Sequence, residues 1–279
     1  MSDRGFWRDA IRSAKATFGR RKGVVGFAVG RRDCNEESAG EISLIILVEK
    51  KLALSELRGR KLLPRRHVFE HRGRNREVPI DVQETNGEAL GTLNHSGTPV
   101  SGGGNQGTVG GVVRRGNQVF VLTSGHVAVS RGRRMVFGEN QAVKGRVSLV
   151  RLNRFLDHAL VVPDTEPQEG VCSLVGLRTG GMSDRLVGRT LRIYSERMDD
   201  EANVGVRQVF ASCRFRYGNT TRLMNDLIAT DRVTERGDSG ALLYDPERRL
   251  AIGHVLGSLG DNSYFLPFDH ASQQLGVSF

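Results

Sequence analysis

The sequence has few cysteines and no long apolar segment, and each absence excludes a class of protein. Its three cysteines, Cys34, Cys172 and Cys213, are widely spaced and odd in number. They fit neither a disulfide framework nor a metal-ligand cluster, so we expect free thiols in a reducing compartment. No apolar stretch approaches the roughly 20 residues that a transmembrane helix needs. The N-terminus also lacks the apolar core of a secretory signal, and we predict a cytoplasmic protein with no metal or cofactor.

Positive charge is concentrated in the first third of the 279-residue chain. Residues 1–80 contain 19 Lys and Arg against 10 Asp and Glu, whereas the rest of the chain holds 22 against 21. This asymmetry predicts two regions with different roles. The arginines lack interleaved aromatic residues and a known nucleic-acid-binding motif. A solvated basic face is therefore favoured over nucleic-acid binding, which stays open as an alternative.

An amphipathic helix is predicted within residues 1–19. Apolar side chains recur at helical spacing over residues 5–18, with basic residues between them. Such a helix either packs on its own domain or binds a partner or a membrane surface.

Residues 20–85 carry the pattern of a small α+β module. The predicted elements are strands at 23–30, 41–50 and 76–84 and a short helix at 53–63. Residues 86–106 are rich in Gly, Ser, Asn and Pro, which predicts a linker or surface loop.

The remaining residues, 107–279, favour an all-β architecture. The chain contains 35 glycines, and in this region they separate short apolar runs of strand length. Long helical patterns are missing until about the last dozen residues. The pattern is typical of a β-sandwich or a β-barrel, and the fold class is therefore mainly β.

The tetrapeptide Gly237-Asp238-Ser239-Gly240 raises the possibility of a nucleophile. Two glycines let the backbone turn sharply and approach other chain segments closely. The following apolar run, 241–244, predicts a buried strand that holds the turn. The alternative is an ordinary connection between strands, because these residue types are common in turns.

A serine nucleophile needs a base and a group that orients the base. His126 follows an apolar strand and a Ser-Gly turn, which makes it the candidate base. Asp157 lies at the start of a buried-looking strand and is the candidate orienting acid. His158, the next residue, is predicted to be exposed because side chains alternate along a strand.

The other five histidines carry weaker signals. His67, His71 and His95 lie in basic or polar segments and are predicted to be solvated. His254 and His270 are compatible with either core or surface positions, and nothing near them in the sequence marks them as bases.

The order His126, Asp157, Ser239 resembles that of the trypsin-like (chymotrypsin-fold) serine peptidases. The matching segments are TSGHV at 123–127, DHAL at 157–160 and GDSG at 237–240. By this resemblance His126 is the general base, Asp157 orients it and Ser239 attacks the substrate. The spacing around GDSG is also similar to that of HtrA-like peptidases.

The resemblance implies further site residues. The backbone N–H groups of Gly237 and Ser239 would form the oxyanion hole, and Asp238 would shape their loop. In the family, the residue six positions before the nucleophile forms the floor of the main specificity pocket. That residue is Val233 here, with Leu256, Gly257 and Ser258 on the facing strand. An acid is missing at this floor, so a small or medium apolar P1 residue is favoured.

The resemblance also implies an architecture of two small antiparallel β-barrels with the site in the cleft between them. The first barrel would span about 107–165 and the second about 166–279. The module at 20–85 looks like the extra N-terminal part of some intracellular bacterial and plant trypsin-like proteins.

The favoured function is a serine endopeptidase that acts on protein or peptide substrates. One alternative is a catalytically silent scaffold on a peptidase fold. Another is a nucleic-acid-associated protein that acts through its basic N-terminal third. Residues 1–85 are candidates for contact with a regulatory protein or a second copy of the chain.

Overall fold

The structure is a computed structural model that describes most of the chain. The described residues are 4–32, 40–52, 56–57, 62–85, 107–129, 131–137, 143–165, 176–195, 200–217, 220–235 and 237–279. The predicted helix at 53–63, apart from residues 56–57 and 62–63, and the predicted linker at 86–106 lie outside these ranges. So do His95, Cys34 and Cys172.

The described elements are three α-helices and sixteen strands. The helices are α1 (Arg4–Phe18), α2 (Gly125–Ala128) and α3 (Phe268–Leu275). The strands are β1 (Val24–Arg31), β2 (Ile42–Val48), β3 (Arg66–His71), β4 (Arg74–Glu84), β5 (Gly111–Arg115), β6 (Gln118–Thr123), β7 (Arg134–Phe137), β8 (Val143–Leu152), β9 (Asp157–Pro163), β10 (Arg178–Thr179), β11 (Thr190–Ser195), β12 (Asp200–Tyr217), β13 (Thr220–Asp231), β14 (Leu242–Asp245), β15 (Leu250–Leu259) and β16 (Asn262–Pro267).

The strands form two sheets that correspond to two barrels. The first barrel is a five-stranded antiparallel sheet in the order β5-β6-β9-β8-β7. The second barrel has the order β11-β14-β15-β16-β13-β12, and a further β11–β12 pairing closes it. The mainly β fold predicted from the sequence is confirmed.

The N-terminal strands continue the sheet of the second barrel. Strand β12 pairs with β11 near its start and with β1 further along, where Val29 faces Val209. Strands β2, β4 and β3 then extend this sheet outward from β1. The domain boundaries predicted from the sequence stay a prediction, but the pairing places strands β1–β4 in one sheet with the second barrel.

Helix α1 covers this shared sheet. Its buried residues are Trp7, Ala10, Ile11, Ala14 and Phe18, which lie on one face of the helix. They belong to one apolar cluster with second-barrel residues from β14, β15 and β16. The helix therefore packs on its own protein, which is one of the alternatives that its amphipathic pattern left open.

The solvated positions predicted for His67 and His71 are wrong. Both side chains are buried beneath α1, where His67 Nε2 lies 3.0 Å from Ser13 Oγ and His71 Nδ1 lies 2.9 Å from Asp9 Oδ2. The physical reason is that both histidines lie in strand β3, which was not predicted because its sequence is rich in charged residues. Alternation along β3 turns every second side chain toward the helix.

A second apolar cluster joins the two barrels. It contains residues of β6 and β9 from the first barrel, residues of β14 and β15 from the second, and α3. This shared core sets the positions of the strand ends that carry the candidate site. None of the described helices is long and apolar enough to cross a membrane.

Candidate active site

His126 and Asp157 form a direct hydrogen-bonded pair at one end of the first barrel. The ring Nδ1 of His126 lies 2.5 Å from Asp157 Oδ2, and the His126 backbone N–H donates to Oδ1 at 2.8 Å. A Cβ on Gly125 would lie only 2.9 Å from Asp157 Oδ1, so glycine permits this close approach. When Nδ1–H donates to the carboxylate, Nε2 is left as the basic nitrogen.

The environment of Asp157 keeps its carboxyl ionised. The residue is 1% exposed. Burial opposes ionisation, but interactions with His126 and His158 outweigh it and hold the pKa of Asp157 below its ordinary value. A buried, ionised carboxylate beside Nδ1 fixes the orientation of the imidazole and stabilises its protonated form.

Ser239 lies in a fully buried turn bordered by two glycines in the left-handed region. Gly237 has a φ of 101° and Gly240 a φ of 98°, values that favour glycine over other residues. The Gly240 N–H donates to the Val255 carbonyl at 3.1 Å, which fastens the turn to β15.

Asp238 anchors the same turn from inside the second barrel. Its side chain is fully buried and accepts hydrogen bonds from Ser195 Oγ at 2.5 Å and from the Glu235 backbone N–H at 2.8 Å. Each carboxylate oxygen therefore has a partner. Buried carboxylates are stable only when they are paired in this way.

The turn contacts the chain segment that leads to His126. The backbone N–H of Thr108 donates to Ser239 O at 2.8 Å, and Thr108 Oγ1 donates to Gly237 O at 2.9 Å. A Cβ on Gly240 would lie 3.3 Å from the backbone nitrogen of Ser124, two residues before His126. The tertiary structure thus brings the turn of Ser239 against the segment that carries the candidate base.

The predicted substrate-binding residues lie next to this turn. Val233 is half-buried, and Leu256, Gly257 and Ser258 are buried in β15. The Ser263 hydroxyl accepts the backbone N–H groups of Val233 and Thr234, each at 3.0 Å, and so holds the segment before the nucleophile.

Sequence reasoning missed Tyr217, which packs against the candidate base. The rings of Tyr217 and His126 meet edge to face with centroids 5.6 Å apart. Burial raises the pKa of the phenol, and the nearby Asp157 carboxylate raises it further. A lone tyrosine at the end of β12 carries no local signal for this position, because the contact joins residues that are distant in the sequence.

The exposed position predicted for His158 is wrong. Alternation does turn His158 away from Asp157, but toward the interface between the barrels, where it is 1% exposed. His254 and His270, whose positions the sequence left open, are also buried. Within the described residues, no three histidine, cysteine, aspartate or glutamate side chains are grouped as a metal site would require.

Comparison with known proteins identifies the fold. The chain matches no protein-family model and no curated protein. Among solved structures it is similar to a glutamic acid-specific serine protease, with 19% identity and a TM-score of 0.52; the match covers 65% of this chain and 98% of that one.

Two further structures give the same result. Cellulomonas bogoriensis chymotrypsin matches with 18% identity and a TM-score of 0.50, over 66% of this chain and 96% of its own. Nocardiopsis protease matches with 16% identity and a TM-score of 0.51, over 68% and 98%. The chain therefore has the double β-barrel fold of the chymotrypsin-type serine proteases, and the resemblance seen in its motifs is confirmed at the level of fold.

Proposed function

We propose that the protein is a serine endopeptidase with a triad of His126, Asp157 and Ser239. The observation that carries this proposal is the buried His126–Asp157 pair, which lies beside the segment against which the turn of Ser239 packs. The fold of the chain and the order of the three residues support the same assignment.

The proposed reaction follows the roles of the triad. The Oγ of Ser239 attacks the carbonyl carbon of the scissile peptide bond, and its proton passes to Nε2 of His126. The N–H groups of Gly237 and Ser239 stabilise the oxyanion. The proton then passes to the leaving amine as the C–N bond breaks, and water hydrolyses the acyl-enzyme by the same route.

A peptide substrate is proposed to pair with β15. On one side, β15 pairs with β14 and with Ala241, the residue before it, and this pairing ends at Val255. On the other side, β15 pairs with β16 as far as Leu259. Among the described residues, no strand pairs with Leu256–Ser258 on the side opposite β16. Such an edge favours binding of an extended peptide by β-augmentation.

The proposed specificity is for a small or medium apolar P1 residue. Val233 supplies an apolar side chain at the position that forms the pocket floor in the resembling family, and Ser263 holds this segment in place. A peptide series that varies only P1 tests the assignment. Alanine, valine or leucine should give a higher kcat/KM than arginine, lysine or glutamate; a preference for a charged P1 residue would contradict it.

A reducing compartment, the cytoplasm, is proposed as the location. Cys213 is a buried free thiol, and burial raises its pKa to about 12, so it remains protonated and unreactive. For Cys213 this fits the expectation of free thiols, which for Cys34 and Cys172 stays a prediction.

Labelling by a fluorophosphonate probe tests the nucleophile. Ser278, an exposed serine near the C-terminus, provides the control. The Ser278→Ala variant should label as fast as the wild type. Ser239→Ala should lose labelling and at least about 10³-fold in peptide hydrolysis while remaining folded. A wild type that neither labels nor cleaves peptides would favour the silent scaffold instead.

A further inference from the structure

We propose that His158 and His254 form an inter-barrel hydrogen bond that positions the two halves of the candidate site against each other. The catalytic consequence rests on the proposed serine peptidase function. The bond itself is a property of the two barrels and can be tested separately. Neither residue belongs to the proposed triad.

The two imidazoles meet at the interface between the barrels. His158 comes from β9 of the first barrel and His254 from β15 of the second. The Nε2 of His158 lies 3.2 Å from Nδ1 of His254, with ring centroids 5.1 Å apart and ring planes at 81°. Both side chains are at most 2% exposed, so water does not compete for the bond.

A second contact determines the direction of this hydrogen bond. The Nε2 of His254 lies 3.2 Å from the carbonyl oxygen of Gly110, which can only accept. Nε2 of His254 must therefore carry a proton, and in the neutral ring Nδ1 then carries the lone pair. It follows that His158 donates its Nε2–H to His254.

His254 must be neutral for this arrangement, because its Nδ1 has to accept, and burial keeps His158 neutral as well. Burial lowers the pKa of His158 to about 4, while the Asp157 carboxylate opposes the shift and His270 adds to it. Burial, followed by the electrostatic interaction with His158, lowers the pKa of His254 well below its ordinary value, against the hydrogen bond to Gly110. The uncharged ring of Phe268 also packs against His254, with ring centroids 5.4 Å apart.

The bonded groups lie directly behind the candidate catalytic residues. His158 follows Asp157 in β9. The Gly110 N–H donates to the Leu122 carbonyl of β6, the strand that leads to His126. His254 pairs with Leu242 of β14, which begins three residues after Ser239.

The close packing at Gly110 strengthens this link. A Cβ at Gly110 would lie 2.5 Å from the Gly240 carbonyl oxygen and 2.5 Å from Cδ2 of His254. His254 of the second barrel therefore contacts both the His158 ring and the Gly110 carbonyl of the first barrel. A change in the separation of the barrels would alter both hydrogen bonds and the distance between base and nucleophile.

Substitutions at His158 separate positioning from general stability. His158→Phe keeps the ring volume and removes the donor, whereas the amide nitrogen of His158→Gln can occupy the place of Nε2 and donate. His67→Phe is the matched control, because it removes another buried histidine and its contact to Ser13, and His67 lies in β3, the outermost strand of the extended sheet. The measurements are the second-order rate of fluorophosphonate labelling and the free energy of unfolding in urea.

We expect His158→Phe to slow labelling about tenfold or more under conditions where the protein stays folded, since small displacements of catalytic groups are costly. His158→Gln should recover most of the rate, and His67→Phe should remain within about twofold of the wild type. Labelling of His158→Phe at the wild-type rate would overturn the proposal, as would equal rates for the Phe and Gln variants.

Nuclear magnetic resonance of the ¹⁵N-histidine-labelled wild type tests the bond without activity. A scalar coupling between His158 Nε2 and His254 Nδ1, with both rings as Nε2–H tautomers, is expected. The absence of this coupling, or an Nδ1–H tautomer of His254, would overturn the proposal even if the His158→Phe variant fails to fold. A wild type that shows the coupling but resists the probe would support the link and count against the proposed function.

Discussion

The two barrels hold their parts of the candidate site in different ways. In the first barrel, His126 and Asp157 come from adjacent strand ends and are joined by two direct hydrogen bonds. In the second barrel, the turn of Ser239 is held by Thr108 and Ser195, both distant from it in the sequence. The base–acid pair is thus local to one sheet, whereas the nucleophile turn depends on the complete tertiary structure.

The barrels also differ in size and support. The first barrel has five strands among the described residues. The second is extended by β1–β4 and covered by α1, and these elements share one apolar cluster with it. The basic N-terminal third therefore includes a structural part of the second barrel. Because the two halves of the candidate site are supported differently, substitutions far from the site should act unequally on them.

The largest expected effect is on the local pair of the first barrel. Asp157→Asn should reduce kcat/KM for peptide hydrolysis by about 10³- to 10⁴-fold, because the amide no longer favours the required tautomer of His126. Circular dichroism should show a retained fold. Asp164→Asn, at an exposed position after the same strand, is the control and should leave kcat/KM unchanged within about twofold. A loss below tenfold in Asp157→Asn would contradict the assigned role.

The next largest effect is on stability, through helix α1, which packs on the second barrel. Trp7 is buried in α1, and its indole N–H donates to Asp184 at 3.1 Å. Trp7→Ala should lower the free energy of unfolding by about 3–5 kcal/mol, because it leaves a cavity and removes the indole donor to the Asp184 carboxylate. Arg12→Ala, on the exposed face of the same helix, should change it by less than about 0.5 kcal/mol. Equal stabilities in urea for the two variants would refute a structural role of the helix.

The link between the barrels predicts a pH dependence of stability. Because the pKa of His158 is about 4 in the folded state, against 6.5 in the unfolded state, the unfolded chain binds more protons between these values. Stability should therefore fall as pH decreases from 6.5 to 4, by about 3 kcal/mol from this residue.

Other histidines shift in the same direction. The lowered pKa values of His67, His254 and His270 each add to the loss in acid. Urea titrations at intervals between pH 7 and pH 4.5 measure the slope, and His158→Phe should make it shallower. An unchanged slope in this variant would contradict the assignment of the loss to the buried pair.

The smallest effect is predicted for the remote anchor of the nucleophile turn. Ser195→Ala leaves one oxygen of the buried Asp238 without its hydroxyl donor, which should cost about 1–3 kcal/mol of stability. The labelling rate of Ser239 should fall about tenfold to a hundredfold as the turn loosens.

The matched control for this anchor is Ser43→Ala. Ser43 is fully buried in β2, and within the described part of the chain its hydroxyl makes a single, long contact of 3.4 Å to the Glu41 carbonyl. This variant should label at the wild-type rate. Equal labelling rates for Ser195→Ala and Ser43→Ala would show that Asp238 does not need Ser195 to hold the turn.

The sequence predicted the parts of the molecule that depend on local patterns. Helical spacing predicted α1, and apolar runs of strand length predicted β1, β2 and β4. Strand β3 was missed because its alternating residues include arginine, glutamate and two histidines. The motifs around His126, Asp157 and Ser239 and their order carried the resemblance that implied the double barrel, which the solved structures confirm.

Patterns along the chain thus predicted the fold class and the three candidate catalytic residues, whose catalytic roles stay a prediction. What covers the apolar face of α1, the contact of His158 with His254, and the hydrogen bonds of Ser195 and Thr108 that hold the turn of Ser239 are visible only in the folded molecule. Periodicity and turn preference act over a few residues along the chain. A hydrogen bond between strands about a hundred residues apart leaves no such local pattern, because the packing of both barrels sets its geometry.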